Sequence, residues 1–458
     1  FFFKQTPAYE ILSGLVGSEM CIRDRHHIFR LSGVMILGFL AMTLVHLVEI
    51  FYLGIVGLDA LAAIAFSFPV TMSLSAFIRG IGIGASSIVA RSNGEANIEI
   101  AAMTTTHGYL MALAITFILA LTGNVCANSI YHLLGARGEV LALATAYTQI
   151  WFLGYPLLGV AMVANGIIRS FGNARYPLLI MTSAPLVQVI VAPFLIFGLM
   201  GFPELGLLGA AWSSVCGAIV MFLIASYWLI SEKLFRAEFK SIGVSCWNIL
   251  HVGIPAAATN LIQPFGMGVT TWLLAGYGIT IVAGFGVASR IESVVAMVTI
   301  GFATSIVPIV GQNWGARHFD RVHDALRTCY IACHGWGLFS AIIMWIAAPF
   351  FVRLISDDPD ILASAVDFLF IVPISLGFLG MINVATHSFN ALRKPGPALI
   401  LSLARLYIIY VPLALMLSNW LGYTGVFIAT ALSSILVGIL AWLWNNHVLE
   451  TERKTLTT

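Results

Sequence analysis

Glu49 is the only Asp, Glu, Lys or Arg between Leu31 and Leu58, a stretch otherwise built of apolar and small residues. His46 and Tyr52 lie three residues to either side, so on a helix the three side chains share one face. A carboxyl group held in apolar surroundings beside an imidazole and a phenol can take up and release a proton. That is ion-coupling chemistry, and it makes Glu49, His46 and Tyr52 the expected cation-coupling group. A proton is the expected ion, with sodium as the alternative.

A second set lies further along the chain. Arg290 and Glu292 stand two apart within an apolar run, so they point in different directions and cannot simply neutralise each other. Burying either one unpaired costs several kcal/mol, which favours a functional reason for keeping it. At a rise of ~1.5 Å per residue, Glu49 falls roughly 12 Å, Arg290 and Glu292 roughly 14–17 Å, and Gln188 and Gln263 roughly 15–21 Å from the same end of their spans. These groups therefore share a layer. Glu292, Arg290, Gln188, Gln263, Asn260, Met267 and Asn383 are the expected lining of a substrate cavity, walled mostly by Met and aromatic residues such as Trp272. Arg79 and Arg405 lie closer to the other end and are expected to be structural or to snorkel. Asp367 is expected at a rim.

The elements that position these groups follow from composition. The chain is 60% hydrophobic and 9% charged, against about 25% charged in soluble domains. A net charge of +2 argues against nucleic acid as a partner. The expected partners are the lipid bilayer and a small-molecule substrate, with the chain acting as a monomer. The six cysteines form no paired framework and read as packing residues. No metal site and no cofactor are expected.

Residues 80–94, GIGIGASSIVARSNG, return as 301–315, GFATSIVPIVGQNWG. The register extends from Gly57, opposite Gly278, to Gly206 and Gly209, opposite Gly422 and Gly425. Two copies of one unit are a common plan for a secondary transporter. Taking about 20 apolar residues per span, the chain divides into 30–56, 61–90, 102–125, 140–168, 177–199, 206–231, 245–277, 281–312, 326–352, 361–391, 397–419 and 423–446. The fold class is thus an all-α polytopic membrane protein, twelve transmembrane helices in two parallel six-helix repeats. The expected division is an amino-terminal lobe 26–231, a linker 232–244, a carboxy-terminal lobe 245–447 and a tail 448–458. Residues 1–25 resemble translated sequencing-adapter read-through and are expected to be non-native and disordered. Loop Lys and Arg crowd one side, from Arg91 to Lys454, while the other side has only Arg137 and Arg353. Positive-inside then puts both termini in the cytoplasm, in a bacterial inner membrane.

Four phrases, in order and each at its proper span, carry a resemblance: VEIFYLGIVGLDALAAIAF, GIGIGASSIVARSNGEAN, IIRSFGNARYP and RIESVVAMVTIGFATSIVPIVGQNWGAR. Together they resemble the multidrug and toxin extrusion (MATE) family, its DinF-like branch in particular, over residues 28–447. The resemblance implies a V-shaped pair of lobes that exports small amphiphilic, cationic organic compounds in exchange for protons or sodium ions. It also implies that Glu49 takes the place of the acidic residue of the first span. Three other acids of related sequences are missing: Ala192 stands where span five carries an Asp, Gln263 where span seven carries a Glu, and Asn383 where span ten carries an Asp. Their loss favours a proton over sodium.

Enzyme readings find little support. His46 and Glu49 do not make a His-Glu-x-x-His motif, and no Walker lysine follows a Gly-rich loop. A lipid-linked oligosaccharide flippase is the alternative, which would be expected to show a strongly basic cavity. A membrane-embedded enzyme ranks below it.

Overall fold

A computed structural model describes residues 20–457 apart from 174, 237, 239, 240, 354, 356 and 357, with side chains from Ile28. Residues 1–19 of the segment read as foreign, and Lys240 of the linker, lie outside the described residues.

Among the described residues, twelve helices are long and apolar enough to cross a membrane. The first six are α1 (Met20–Val56), α2 (Leu58–Gly94), α3 (Ile98–Leu133), α4 (Gly138–Ser170), α5 (Arg175–Phe197) and α6 (Leu207–Ser231). The second six are α7 (Ile242–Ala275), α8 (Ile279–Gly315), α9 (Phe319–Arg353), α10 (Pro359–Ala391), α11 (Pro395–Leu421) and α12 (Tyr423–Thr457). Most overrun the apolar stretches that announce them, because a helix continues through polar residues until something breaks it. So α1 reaches back to Met20, six residues into the segment expected to be disordered, and α12 absorbs the expected tail.

The repeat is visible in the turns. Gly57 between α1 and α2 has φ 144°, and Gly278 between α7 and α8 has φ 125°. A side chain would be strained at either place, so the same residue marks the same corner in both copies. α3 and α10 are capped by side chains: Asn97 accepts from the Ile100 N–H, and Asp358 from those of Asp360 and Ile361.

Each repeat has its own core. Ile78, Ile81, Val160, Val163 and Ile167 pack in the first, and Phe285, Phe368 and Phe427 in the second. The linker after α6 is docked on the first repeat. The Glu238 carbonyl lies 2.7 Å from the His107 ring, and the Arg236 N–H donates to the Thr106 hydroxyl at 2.8 Å.

With an even number of spans, the start of α1 and the end of α12 lie at one end of the molecule, the end rich in Lys and Arg. The repeats meet along the half nearer this basic end. Gly80 and Gly84, one turn apart, press α2 onto Ala257 and Ile249 of α7, while Gly82 faces Val163 of α4. The row of alternate glycines thus serves two neighbours, as small residues do where membrane helices approach closely. α2 also meets α8, at Gly94 against Gln312 and at Gly315 against Arg91. Side-chain hydrogen bonds cross between repeats from Ser32 to Ser305 at 2.8 Å, from Thr43 to the Met297 thioether at 3.5 Å, and from Gln312 to the Ser170 carbonyl at 2.6 Å.

Candidate functional site

Two polar sites stand out, one in each repeat. In the first, Glu49 is buried at 6% exposure. One carboxylate oxygen lies 3.6 Å from His46 Nδ1, and the other has no hydrogen-bond partner. His46 itself is exposed. Tyr147 of α4, also buried, lies within electrostatic reach of Glu49 and near Ser214 of α6. Ser214 accepts from Gln188 of α5 at 3.1 Å. Nearby Tyr131 and Thr148 share a bond at 2.6 Å, and Thr148 reaches Ser67 at 3.3 Å. Glu49 is thus a buried carboxylate with one open oxygen and with Tyr147 of α4 in electrostatic reach, and such an oxygen can take up a proton or a small cation.

The second repeat has no acid at this place. In the register that pairs Gly80 with Gly301, Glu49 falls opposite Thr270; in the register that pairs Gly206 with Gly422, Ser214 falls opposite Thr430. Thr270 bonds Tyr410 of α11 at 2.7 Å, with Thr430 near the Tyr410 hydroxyl. A neutral cluster of hydroxyls therefore occupies the position that the carboxylate holds in the first repeat.

The other polar site is a cavity of about 70 Å³ between α7, α10 and α11, closed on one side by Ile83 of α2. Asn260 and Gln263 of α7, Asn383 and His387 of α10, and Arg405 of α11 line it. The α7 and α10 residues recur at helical spacing, so each helix turns one polar face inward. Arg405 arrives differently. Residues Ala404–Tyr410 form a π-helical stretch, a local insertion frequent at functional sites. Glu292 of α8 lies within electrostatic reach of Arg405. His387 donates from Nδ1 to the Asn383 carbonyl at 2.8 Å, since a carbonyl can only accept. Behind His387, within electrostatic reach, stands Arg169 of α4.

Several expectations change here. Gln188 bonds Ser214 inside the first repeat and does not line the cavity, because shared depth says nothing about which repeat a residue faces. Tyr52 stacks edge-on against Phe197 at 6.0 Å within an apolar cluster. Met267 and Trp272 lie exposed on α7, away from the cavity lining, and Arg290 is exposed as well. The cavity wall joins amides, hydroxyls, an imidazole and a guanidinium to aliphatic Ile83, Ala256, Ile262, Leu379 and Ile382, with no Met or aromatic side chain among the lining residues. Arg405, expected to be structural, lines it, whereas Arg79 lies exposed one helical turn from Ile83. Asp367 accepts from the Tyr423 hydroxyl at 2.7 Å. Cys329 and Cys333 are buried in an apolar core. Among the described residues no group of His, Cys, Asp and Glu could hold a metal ion. Tyr147, Ser214, His387 and Arg169 were not singled out from sequence, since uncharged or span-end residues carry no signal until a partner is known.

Twelve spans in two repeats, with an acid buried in one and a polar cavity in the other, define a polytopic membrane transporter. The MatE family model matches residues 35–194 and 255–416, and the chain belongs to that family, whose members are transporters. It is 32% identical over 434 residues to the FAD transporter of Shewanella oneidensis, covering 93% of this chain and 94% of that protein. It is 23% identical over 412 residues to the multidrug export protein MepA of Staphylococcus aureus, covering 89% and 90%. The fold is that of the Vibrio cholerae MATE transporter VcmN in its bent form: TM-score 0.90 at 24% identity, covering 95% of this chain and 99% of that one.

Proposed function

We propose that this protein is a proton-driven exporter of flavin nucleotides such as FAD, working as a monomer in a bacterial inner membrane with both termini in the cytoplasm. It is read as a carrier with no enzymatic step. The observation that carries the coupling half is Glu49, a buried carboxylate with one oxygen unpartnered, set against Thr270 at the equivalent place. A single acid can exchange one proton. Sodium would call for several oxygens and negative charge, which the neutral cluster around Thr270 does not offer. With the basic end in the cytoplasm, the repeats meet on the cytoplasmic side and the molecule faces outward.

The substrate half rests on the cavity wall. Amides, hydroxyls and Arg405 suit a hydrogen-bonding anion. The Shewanella oneidensis relative, a FAD transporter, matches along nearly the whole chain. A second reading, export of amphiphilic cations, is favoured by Glu292 and by the multidrug relatives.

Uptake into inside-out membrane vesicles tests both halves. FAD uptake that requires a pH gradient, is indifferent to sodium and exceeds that of a cationic dye supports the proposal. Uptake of the dye alone would move the second reading ahead, and a sodium requirement would overturn the coupling assignment.

A further inference from the structure

Arginine is costly to hold inside a membrane protein, and it normally comes with a carboxylate. Arg405 has one carboxylate in electrostatic reach, Glu292, with no salt bridge closer than that among the described residues. Arg169 has none. Its Nη1 donates to the thioether of Met35 at 3.3 Å, a weak acceptor, and its Nε is shielded from solvent with no partner at all. The two guanidinium groups come from different repeats, α11 and α4. Arg405 lies on the cavity wall, and Arg169 lies within electrostatic reach of His387, which lines it. One carboxylate against two arginines leaves this region positive.

The cavity is small. At about 70 Å³, well below the roughly 300–1,000 Å³ of pockets that enclose a drug-sized ligand, it suits a small polar group and not a whole dinucleotide. Asn260 and Gln263 present amides on the α7 side, and Asn383 presents one on the α10 side. The π-helical stretch at Ala404–Tyr410 supports the same conclusion, because it stands in α11 where Arg405 is turned into the cavity.

The geometry points to this cavity as the subsite for a phosphate group of the substrate, held by Arg405 with amide donors around it and Arg169 adding a second positive charge. This deepens the flavin nucleotide reading and rests on it for the identity of the substrate. The phosphate chemistry itself rests on the arginines. A phospholipid headgroup offers the same chemistry, so the test must separate the two sources.

The test uses the full chain in phosphatidylcholine nanodiscs, with FMN and riboflavin as probes because they differ only by a phosphate. Wild type is expected to bind FMN about tenfold or more tightly than riboflavin, the scale of a charged hydrogen bond. Arg405→Gln should erase that preference while leaving riboflavin affinity unchanged, which also shows that the variant is folded. Arg405→Lys should keep part of it. Equal FMN affinity in wild type and Arg405→Gln would overturn the subsite and leave the flavin reading standing. If neither flavin binds, thermal stabilisation by inorganic pyrophosphate decides. Stabilisation of wild type but not of Arg405→Gln keeps the subsite and removes flavin as the substrate; no stabilisation of either removes both. Loss of the FMN preference in phosphatidylglycerol nanodiscs would assign the cavity to a lipid headgroup and overturn the nucleotide assignment.

Discussion

Gln312 of α8 donates its side-chain amide to the backbone carbonyl of Ser170 at the end of α4, 2.6 Å away. Asn93 of α2 reaches the same carbonyl at 3.4 Å. One carbonyl thus receives a donor from each repeat, at the end where the repeats press together. Gln312→Leu removes the donor from the second repeat and leaves the one from the first. The expected cost is about 0.6 kcal/mol, typical of an interhelical hydrogen bond in a membrane. The variant should label faster than the parent at a cysteine introduced on the basic side of α8. Unchanged labelling would mean that this bond does not hold the closed arrangement.

The crossing of α2 and α7 makes a sharper prediction. A Cβ on Gly84 would overlap the Ile249 carbonyl oxygen, and backbone yields little. A Cβ on Gly82 would find its nearest neighbour at 3.6 Å, an ordinary contact. Gly84→Ala should therefore cost about 1–3 kcal/mol by overpacking, read as a lower Tm in detergent, while Gly82→Ala stays near the parent. Equal loss in both would show that helix propensity, not the crossing, governs this stretch.

The two repeats were legible in the sequence because a repeated phrase, a repeated glycine corner and loop charges survive without any knowledge of packing. Glu49 was legible for a similar reason: it is the lone charge in a long apolar span. Arg405 was not. Converting position to depth assumes a regular helix, and the π-helical stretch that begins at Ala404 breaks that assumption. Arg169 read as loop charge because it stands one residue from the end of α4. Gln188 bonds Ser214 and not a cavity residue, since depth cannot tell which repeat a side chain faces. The neutral partners Tyr147 and Ser214 matter only through Glu49, and sequence spacing does not bring α4 and α6 to α1.

The neutral counterpart in the second repeat can be tested directly. Thr270→Val removes the bond to Tyr410. Stability should fall by about 1 kcal/mol, with gradient-driven transport unchanged. Loss of transport in a folded Thr270→Val protein would place coupling chemistry in both repeats.

Glu292 stands within electrostatic reach of Arg405, so replacing it should act on substrate and not on coupling. Glu292→Gln leaves Arg405 without its carboxylate and should tighten binding of FMN relative to riboflavin. The same change should weaken any binding of cationic dyes. Equilibrium binding of the three compounds to the purified variant checks both directions. Tighter dye binding would contradict the anionic reading of the cavity.

The central claim is that Glu49 carries the exchanged proton. The direct measurement is transport in proteoliposomes under an imposed pH gradient, with wild type and Glu49→Gln side by side and flavin binding measured on the same preparations. Glutamine keeps the size and hydrogen bonding of the side chain but cannot release a proton. The account predicts that Glu49→Gln binds flavin like wild type yet shows no gradient-driven transport. Full gradient-driven transport by Glu49→Gln would contradict it.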